Sequence, residues 1–94
     1  MGDDNSIFIG NKPFMNYVTG VVMQFTTQNA STVIIKARGK FISRAVDVAE
    51  VASRRFLQDA VEVLGIEIGS EDFTTEEGRR IRVSTIEISL TKKE

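Results

Sequence analysis

The chain has 94 residues, of which 41% are hydrophobic and 27% are charged, which suits one small domain with its own core. It contains no cysteine and no histidine, which excludes disulfides, zinc–thiolate sites and imidazole-based catalysis. No apolar stretch is long enough to span a membrane, and Asp3 and Asp4 stand where a secretory signal would carry basic residues. We therefore expect a single cytoplasmic domain, residues 1–94, that has no membrane association, no cofactor and no metal.

The first third of the chain predicts a strand, a helix and a second strand. Residues 6–10 form a short β-branched and aromatic run that ends in glycine. Pro13 stands where the first turn of a helix tolerates a missing N–H, and residues 32–37 read as a strand whose three consecutive β-branched residues suggest burial on both faces. Two parallel strands joined by a helix result. The apolar stripe of that helix is Phe14, Val18, Val21, Val22 and Phe25.

A second helix is predicted over residues 41–57. Its small alanines allow close approach to a sheet, and Glu50 and Arg54 are spaced for an ion pair on the outer side. The predicted inner stripe is Ile42, Ala45, Ala49, Ala52 and Phe56.

Two long strands joined by a polar turn complete the chain. Residues 60–72 change their apolar phase near Leu64 and Gly65, and a bulge there would keep Val61, Val63, Ile66 and Ile68 on the buried side. Residues 79–90 form the last strand, so the pair makes a hairpin whose tip outruns the core. The order β-α-β-α-β-β predicts an α+β two-layer sandwich, with a mixed four-stranded sheet, two helices on one face and a protruding hairpin.

Charge is segregated along the chain although the net charge is only −1. Residues 1–11 carry −2, residues 12–58 carry +5, residues 59–77 carry −7 and residues 78–94 carry +3. A basic face can therefore coexist with a near-neutral total, although such blocks can also be no more than solvated surface.

Two basic loops stand at equivalent places, each after a predicted strand and before a predicted helix. Lys12 lies in the first loop; Arg38, Gly39 and Lys40 form the second, with Arg44 one turn further on. The carboxyl ends of adjacent parallel strands lie side by side, so we expect the loops to be neighbours. Helix N-termini there favour phosphate, and a glycine lets backbone approach an anion. The pattern predicts a phosphate-binding surface; the alternative is that these cations only solubilise a loop.

Arginines also cluster just past the hairpin turn, at positions 79, 80 and 82. Arg80 and Arg82 should point away from the face that carries Ile81 and Val83. A protruding ribbon of this kind can insert guanidinium groups into a nucleic-acid groove, whereas the alternative is an edge ribbon that its charges protect from aggregation.

Catalysis lacks candidate residues. Glu71–Asp72 and Glu76–Glu77 have no metal-ligand spacing, and neither a Walker loop nor a dinucleotide fingerprint follows a strand. Phe56 either completes the inner stripe of the second helix or, flanked by Arg54 and Arg55, serves as an aromatic anchor for another copy of the protein.

Four stretches together carry a family resemblance. They are IGNKPFMNYV (9–18), VIIKARGKFISRAVDVAEV (33–51), RRFL (54–57) and RVSTIEISL (82–90). In order and spacing they resemble the Alba family of small archaeal chromatin and RNA-binding proteins.

The resemblance implies a fold similar to the C-terminal domain of translation initiation factor three, assembled as a dimer that binds double-stranded DNA, and often RNA, without sequence preference. It implies backbone contacts from Lys12, Arg38 and Lys40, and the position of Arg44 one turn into the second helix lets it extend that patch. It places Arg79, Arg80 and Arg82 on hairpin arms that enter or line the minor groove. Arg54, Arg55 and Phe56 fall where the family makes dimer–dimer contacts.

This sequence departs from the family pattern in two respects. Asn11 replaces the first of two lysines that the family usually carries after the first strand, and the isoelectric point is about 5.5, low for a protein that coats DNA. The main expectation is a homodimeric, chromosome-associated DNA-binding protein. The alternatives are an RNA-binding role, a heterodimer with a more basic paralogue, and a scaffold whose charge segregation serves self-assembly.

Overall fold

The structure is a computed structural model that describes residues 5–93, so Asp3, Asp4 and the predictions that rest on them lie outside it. A 3₁₀ turn over Gly39–Phe41 opens the second helix, and a π-helical turn over Ala52–Phe56 closes it. The main elements in chain order are β1 (Ser6–Phe8), α1 (Phe14–Thr26), β2 (Thr32–Arg38), α2 (Ile42–Val51), β3 (Val61–Thr74) and β4 (Arg80–Lys92).

The strands form one mixed sheet in the order β1-β2-β4-β3. β1 pairs with β2 in parallel, whereas β4 is antiparallel to both of its neighbours. Both helices pack on the same face of the sheet, where the odd-numbered residues of β2 and the even-numbered residues of β4 are buried. The predicted element order, sheet and fold class are confirmed.

Burial along β2 alternates. Val33 and Ile35 are fully buried beneath the helices, but Ile34 points to the opposite face and is only half-buried. We call that opposite side the open face, because neither helix covers it. The prediction that β2 is buried on both faces is therefore wrong, because both helices lie on one face of the sheet, as the predicted two-layer sandwich requires.

The first helix follows its predicted stripe. Val18, Val21 and Phe25 are buried in the core, and the helix begins after Pro13, whose ring fits that position. Gly20 faces β1, where an added Cβ would make an ordinary contact 3.6 Å from the Ile7 side chain.

The bulge in β3 lies where the sequence predicts it, as a register shift between Val63 and Gly65. Because of it, Val63, Ile66 and Ile68 pair with Leu90, Ile88 and Ile86 and share the helix-side face. Only Val61 is buried, however; Ile66 is 58% exposed and Ile68 82%. The prediction that all four side chains are buried is wrong, because β3 is an edge strand that the helix layer does not reach.

The end of the second helix also differs from its predicted stripe. Phe56 is 50% exposed, whereas Val48, outside the stripe, is fully buried. The last turn is π-helical, and its wider spacing rotates later side chains relative to an α-helix. The inner-stripe interpretation of Phe56 is therefore wrong.

The hairpin of β3 and β4 gives the domain its elongated shape, 48 × 26 × 21 Å. Its distal half, around Ile68 and Ile81, has exposed side chains on both faces. Within residues 5–93, no helix has the length and apolar character needed to cross a membrane.

Candidate nucleic-acid interface

The loop between β1 and α1 is fixed by hydrogen bonds to the hydroxyl group of Tyr17. The backbone N–H groups of Gly10 and Lys12 both donate to the hydroxyl oxygen of Tyr17, each at 2.9 Å. The Tyr17 ring is buried in the core. The main chain that carries Lys12 is therefore fixed from below, while the Lys12 side chain lies on the surface.

The same loop is fixed from the side by α2. The guanidinium of Arg44 donates to the carbonyl oxygen of Lys12 at 2.7 Å. This contact joins the first turn of α2 to the first basic loop, and the N–H of Ile9 bonds to the Lys36 carbonyl just before the second loop. The predicted convergence of the two loops is confirmed. In this structure Arg44 positions the first basic loop through its hydrogen bond to the Lys12 carbonyl.

Gly39 turns the chain from β2 into α2 with a φ of +59°, a left-handed conformation that strains any residue with a Cβ. An added Cβ would also lie 3.4 Å from Val83 on the hairpin. Lys40, exposed, has its ammonium 5.4 Å from the centre of the Phe41 ring. The second loop thus presents its cations between α2 and the side of the hairpin.

Arg38 is already paired with a carboxylate. Its guanidinium lies 3.0 Å from Glu71 of β3 and 5.4 Å from the centre of the Phe73 ring. Both charged side chains are about half exposed, so the pair is screened by water and contributes little to stability. It does hold Arg38 across the open face, where a phosphate would have to compete with Glu71.

The hairpin arginines lie close together near the turn. Arg79 bonds through its N–H to the Thr75 side chain, and Arg80 and Arg82 point to the helix-side face, away from Ile81 and Val83, as predicted. Arg82 lies 3.1 Å from Asp72, its cross-strand partner. The cluster starts close to the second basic loop, since Gly39 lies against Val83, the neighbour of Arg82, and it extends toward the turn of the hairpin.

Phe56, Arg54 and Arg55 form a separate exposed group at the end of the second helix. Arg54 makes the predicted ion pair with Glu50, at 2.7 Å, and all three side chains are exposed. This group belongs to neither of the basic clusters, and its role stays a prediction.

Sequence reasoning missed three contributors to the site. The hydroxyl of Tyr17 is invisible in a pattern that treats the residue as part of a helix, and the contacts of Glu71 and Asp72 depend on the pairing of β3 with distant elements. One signal was available in the sequence: Glu71 and Asp72 are adjacent on a predicted strand, so their carboxylates point to opposite faces and can each meet an arginine of another element. In the part of the chain that the structure describes, no group of three or more acidic side chains is placed to hold a metal ion.

Comparisons with known proteins point to one family. The model of the Alba family matches residues 5–70. The DNA/RNA-binding protein Alba of Methanococcus maripaludis is 51% identical over 95% of this chain and 99% of its own length. The protein of the same name from Methanocella arvoryzae is 54% identical over 98% of this chain and 94% of its own.

Solved structures agree on the fold. Alba from Thermoplasma volcanium superposes with a TM-score of 0.85 at 49% identity, covering 94% of this chain and all of that one. ALBA1 from Trypanosoma brucei gives a TM-score of 0.75 over 100% of this chain and 74% of that one. At 23% identity, the second comparison supports the architecture alone.

Proposed function

This chain belongs to the Alba family, and from that premise we propose that it is a chromosomal protein that binds double-stranded DNA through its phosphates without reading base sequence. The observation that carries the proposal is the convergence of the two basic loops, joined by the bond from Arg44 to Lys12. Lys12, Arg38 and Lys40 then lie at the ends of adjacent strands, where point charges can follow a phosphate backbone. The names of the relatives, DNA/RNA-binding proteins, support a role in nucleic-acid binding.

We further propose that the binding unit is a dimer. Val63, Ile66 and Ile68 line the uncovered helix-side face of β3 and are 49%, 58% and 82% exposed. Val46, 42% exposed, lies on the flank of α2 opposite Arg44, because two residues rotate a helix by about 200°. Arg44 reaches toward β1, so Val46 faces the hairpin side. A second copy with the same patch would cover both surfaces by two-fold symmetry.

The arginines near the hairpin turn are proposed to extend the DNA contact from the second basic loop toward the tip of the hairpin. Arg80 and Arg82 lie within the exposed distal half of the 13-residue strand β4 in a domain 48 Å long, so they stand on a ribbon that projects beyond the helix layer. Guanidinium groups on such a ribbon suit a minor groove, whose electrostatic potential is negative. In a dimer, two ribbons would contact DNA on either side of the central loops.

The deciding experiment is a fluorescence-anisotropy titration of unrelated DNA duplexes and a matched RNA duplex over a range of salt concentrations. The variant Arg38→Ala/Lys40→Ala removes two cations per subunit from the proposed phosphate surface. Counterion release gives a log–log slope of about −0.9 per neutralised phosphate, so we expect this variant to reduce the slope by about two to four units in a dimer.

Lys92→Ala/Lys93→Ala is the matched control. It removes the same charge at the opposite end of the sheet, where Lys92 pairs with Val61, and should leave the slope nearly unchanged. Equal loss in both variants would reduce the effect to net charge and contradict the assigned surface. Tighter binding of the RNA duplex would favour the RNA-binding role, and no binding at low salt would favour self-assembly or a more basic partner.

A further inference from the structure

The side chain of Phe8 is an exposed aromatic group on the first strand of the sheet. It is 67% exposed. It pairs with Lys36 of β2, whose side chain points to the open face, so the Phe8 ring lies on that face too. It lines two recesses, one of about 560 Å³ between β1 and α1 and one of about 230 Å³ on the open face. The ring is therefore a ridge with accessible space on both sides.

Cations surround this ring. The ammonium of Lys36 lies 5.4 Å from its centre, Lys12 lines the larger recess and Arg38 lines the smaller. Lys12 and Arg38 also belong to the proposed phosphate surface. The aromatic ridge is thus continuous with a surface that carries positive charge, and its charge suits an anionic polymer.

The other half of the open face is acidic. Glu67 and Glu87 stand directly opposite each other on β3 and β4, and Glu71 follows on the same face of β3. An anionic ligand on the open face is therefore confined to the β1 side. Lys36 lies at the boundary, 3.9 Å from Glu87 and beside Phe8.

We propose that Phe8 is a stacking platform for an unpaired base of single-stranded RNA, with the adjacent phosphates held by Lys12 and Lys36. A base offers its flat face to a protein ring only when it is unpaired and unstacked, so this site is closed to an intact duplex. Asn16 and Thr19 line the larger recess and offer amide and hydroxyl groups to a ribose 2′-hydroxyl, the group that distinguishes RNA from DNA. The proposal rests on the proposed function in that Lys12 serves both ligands.

The test measures the affinity of the full chain for an unstructured 12-nucleotide RNA made of CAA repeats, for the DNA of the same sequence, and for a DNA duplex of that length. Stacking of one base predicts that Phe8→Ala weakens RNA binding by about 5- to 100-fold, while duplex affinity changes by less than about twofold. Phe8→Trp should restore RNA binding, because a larger ring stacks at least as well.

Met15→Ala is the control for loss of exposed apolar surface, since Met15 is 45% exposed on α1 and carries no ring. It should leave the RNA affinity unchanged. Circular dichroism melting of each variant establishes that the fold is retained.

Three results would overturn the proposal: no binding of the RNA by the wild type, unchanged RNA affinity in Phe8→Ala, or an equal loss of duplex and RNA affinity in that variant. Binding of the single-stranded DNA as tightly as the RNA would overturn the assignment to RNA. A change in self-association without any change in RNA affinity would instead make the ridge a contact between copies. Failure of the proposed function would appear separately, as loss of wild-type duplex binding.

Discussion

At the scale of single residues, the Tyr17 hydroxyl shows how one buried side chain can position a surface cation. Its oxygen accepts the N–H groups of Gly10 and Lys12, two donors that precede a helix and have no partner within it. The ring is anchored in the core among the apolar residues of α1. The position of Lys12 therefore depends on a residue five places later, through geometry and not through charge.

Tyr17→Phe should cost stability and affinity together. The change leaves two partly buried N–H groups without their acceptor, so we expect the free energy of unfolding to fall by about 1–3 kcal/mol. Duplex affinity should fall several-fold because the Lys12 main chain loses its support. Urea unfolding at one fixed protein concentration and an anisotropy titration would measure the two effects.

Thr26→Val provides the comparison for Tyr17→Phe. It removes an exposed hydroxyl that bonds only within α1, to the carbonyl of Val22, and should change neither quantity appreciably. Wild-type stability in Tyr17→Phe would show that water replaces the phenol oxygen as acceptor and that the loop needs no such anchor.

At the scale of elements, β3 supplies counter-charges to two arginines. Successive side chains of a strand point to opposite faces, so adjacent Glu71 and Asp72 reach Arg38 on the open face and Arg82 on the helix-side face. Both pairs are exposed and each is worth about 1 kcal/mol or less. Their effect on the proposed DNA contacts is larger, because a phosphate would have to displace a carboxylate from each arginine.

Glu71→Gln/Asp72→Asn should therefore tighten duplex binding. The isosteric amides leave the fold intact and release Arg38 and Arg82, and each released arginine can steepen the log–log salt slope by up to about 0.9. We expect an affinity gain of several-fold at low salt and a change in the free energy of unfolding below about 1 kcal/mol, measured by anisotropy and urea unfolding.

A second double variant separates pairing from net charge. Glu62→Gln/Glu67→Gln also removes two negative charges from β3, but neither of these carboxylates forms an ion pair with Arg38 or Arg82. A smaller gain in this control is the expected result. An equal gain would mean that the acidic strand acts only through long-range repulsion.

At the scale of the whole molecule, the helix layer is narrower than the sheet. α1 and α2 cover β1, β2 and the adjacent part of β4, while the helix-side residues of β3 beyond Val61 are exposed. Valine and isoleucine side chains on one edge of a small domain form a contiguous apolar patch, which is typical of an interface. In the proposed dimer, the second copy of the chain covers this patch.

Ile66→Glu should convert the dimer to a monomer. Burying an unpaired carboxylate at an apolar interface costs several kcal/mol, whereas the same side chain is already 58% exposed in the isolated domain. Sedimentation equilibrium should give twice the 10.4 kDa chain mass for the wild type and a single chain mass for the variant, which keeps its circular dichroism spectrum.

Met15→Glu serves as the surface control, because Met15 is exposed on α1, away from β3. It should remain dimeric. A dimer that survives Ile66→Glu would contradict the proposed interface, and a wild type with one chain mass would contradict the dimer itself.

Local patterns were sufficient for the elements and for their order. The stripe of α1, the alternation of β4 and the phase change at Gly65 each reflect the period of one element, so the helix, the strand and the bulge are readable in the sequence. Where a local pattern gave the wrong burial, it lacked information about which element of the fold covers that residue. Ile34 and Ile68 have apolar neighbours in sequence but no helix over them, and Phe56 follows a π-helical turn that an α-helical stripe does not anticipate.

The sequence by itself determined the mixed sheet, the two helices, the absence of histidine and cysteine chemistry and the placement of basic loops after two parallel strands, because each follows from residue type and spacing. Only the tertiary structure decided that Arg38 and Arg82 are paired with carboxylates, that Tyr17 and Arg44 fix the Lys12 loop, and that Phe8 and the β3 valine and isoleucines are exposed. These contacts join residues that are distant in sequence or depend on the edge of a layer. Such distances are set by how the elements pack, and no local pattern encodes them.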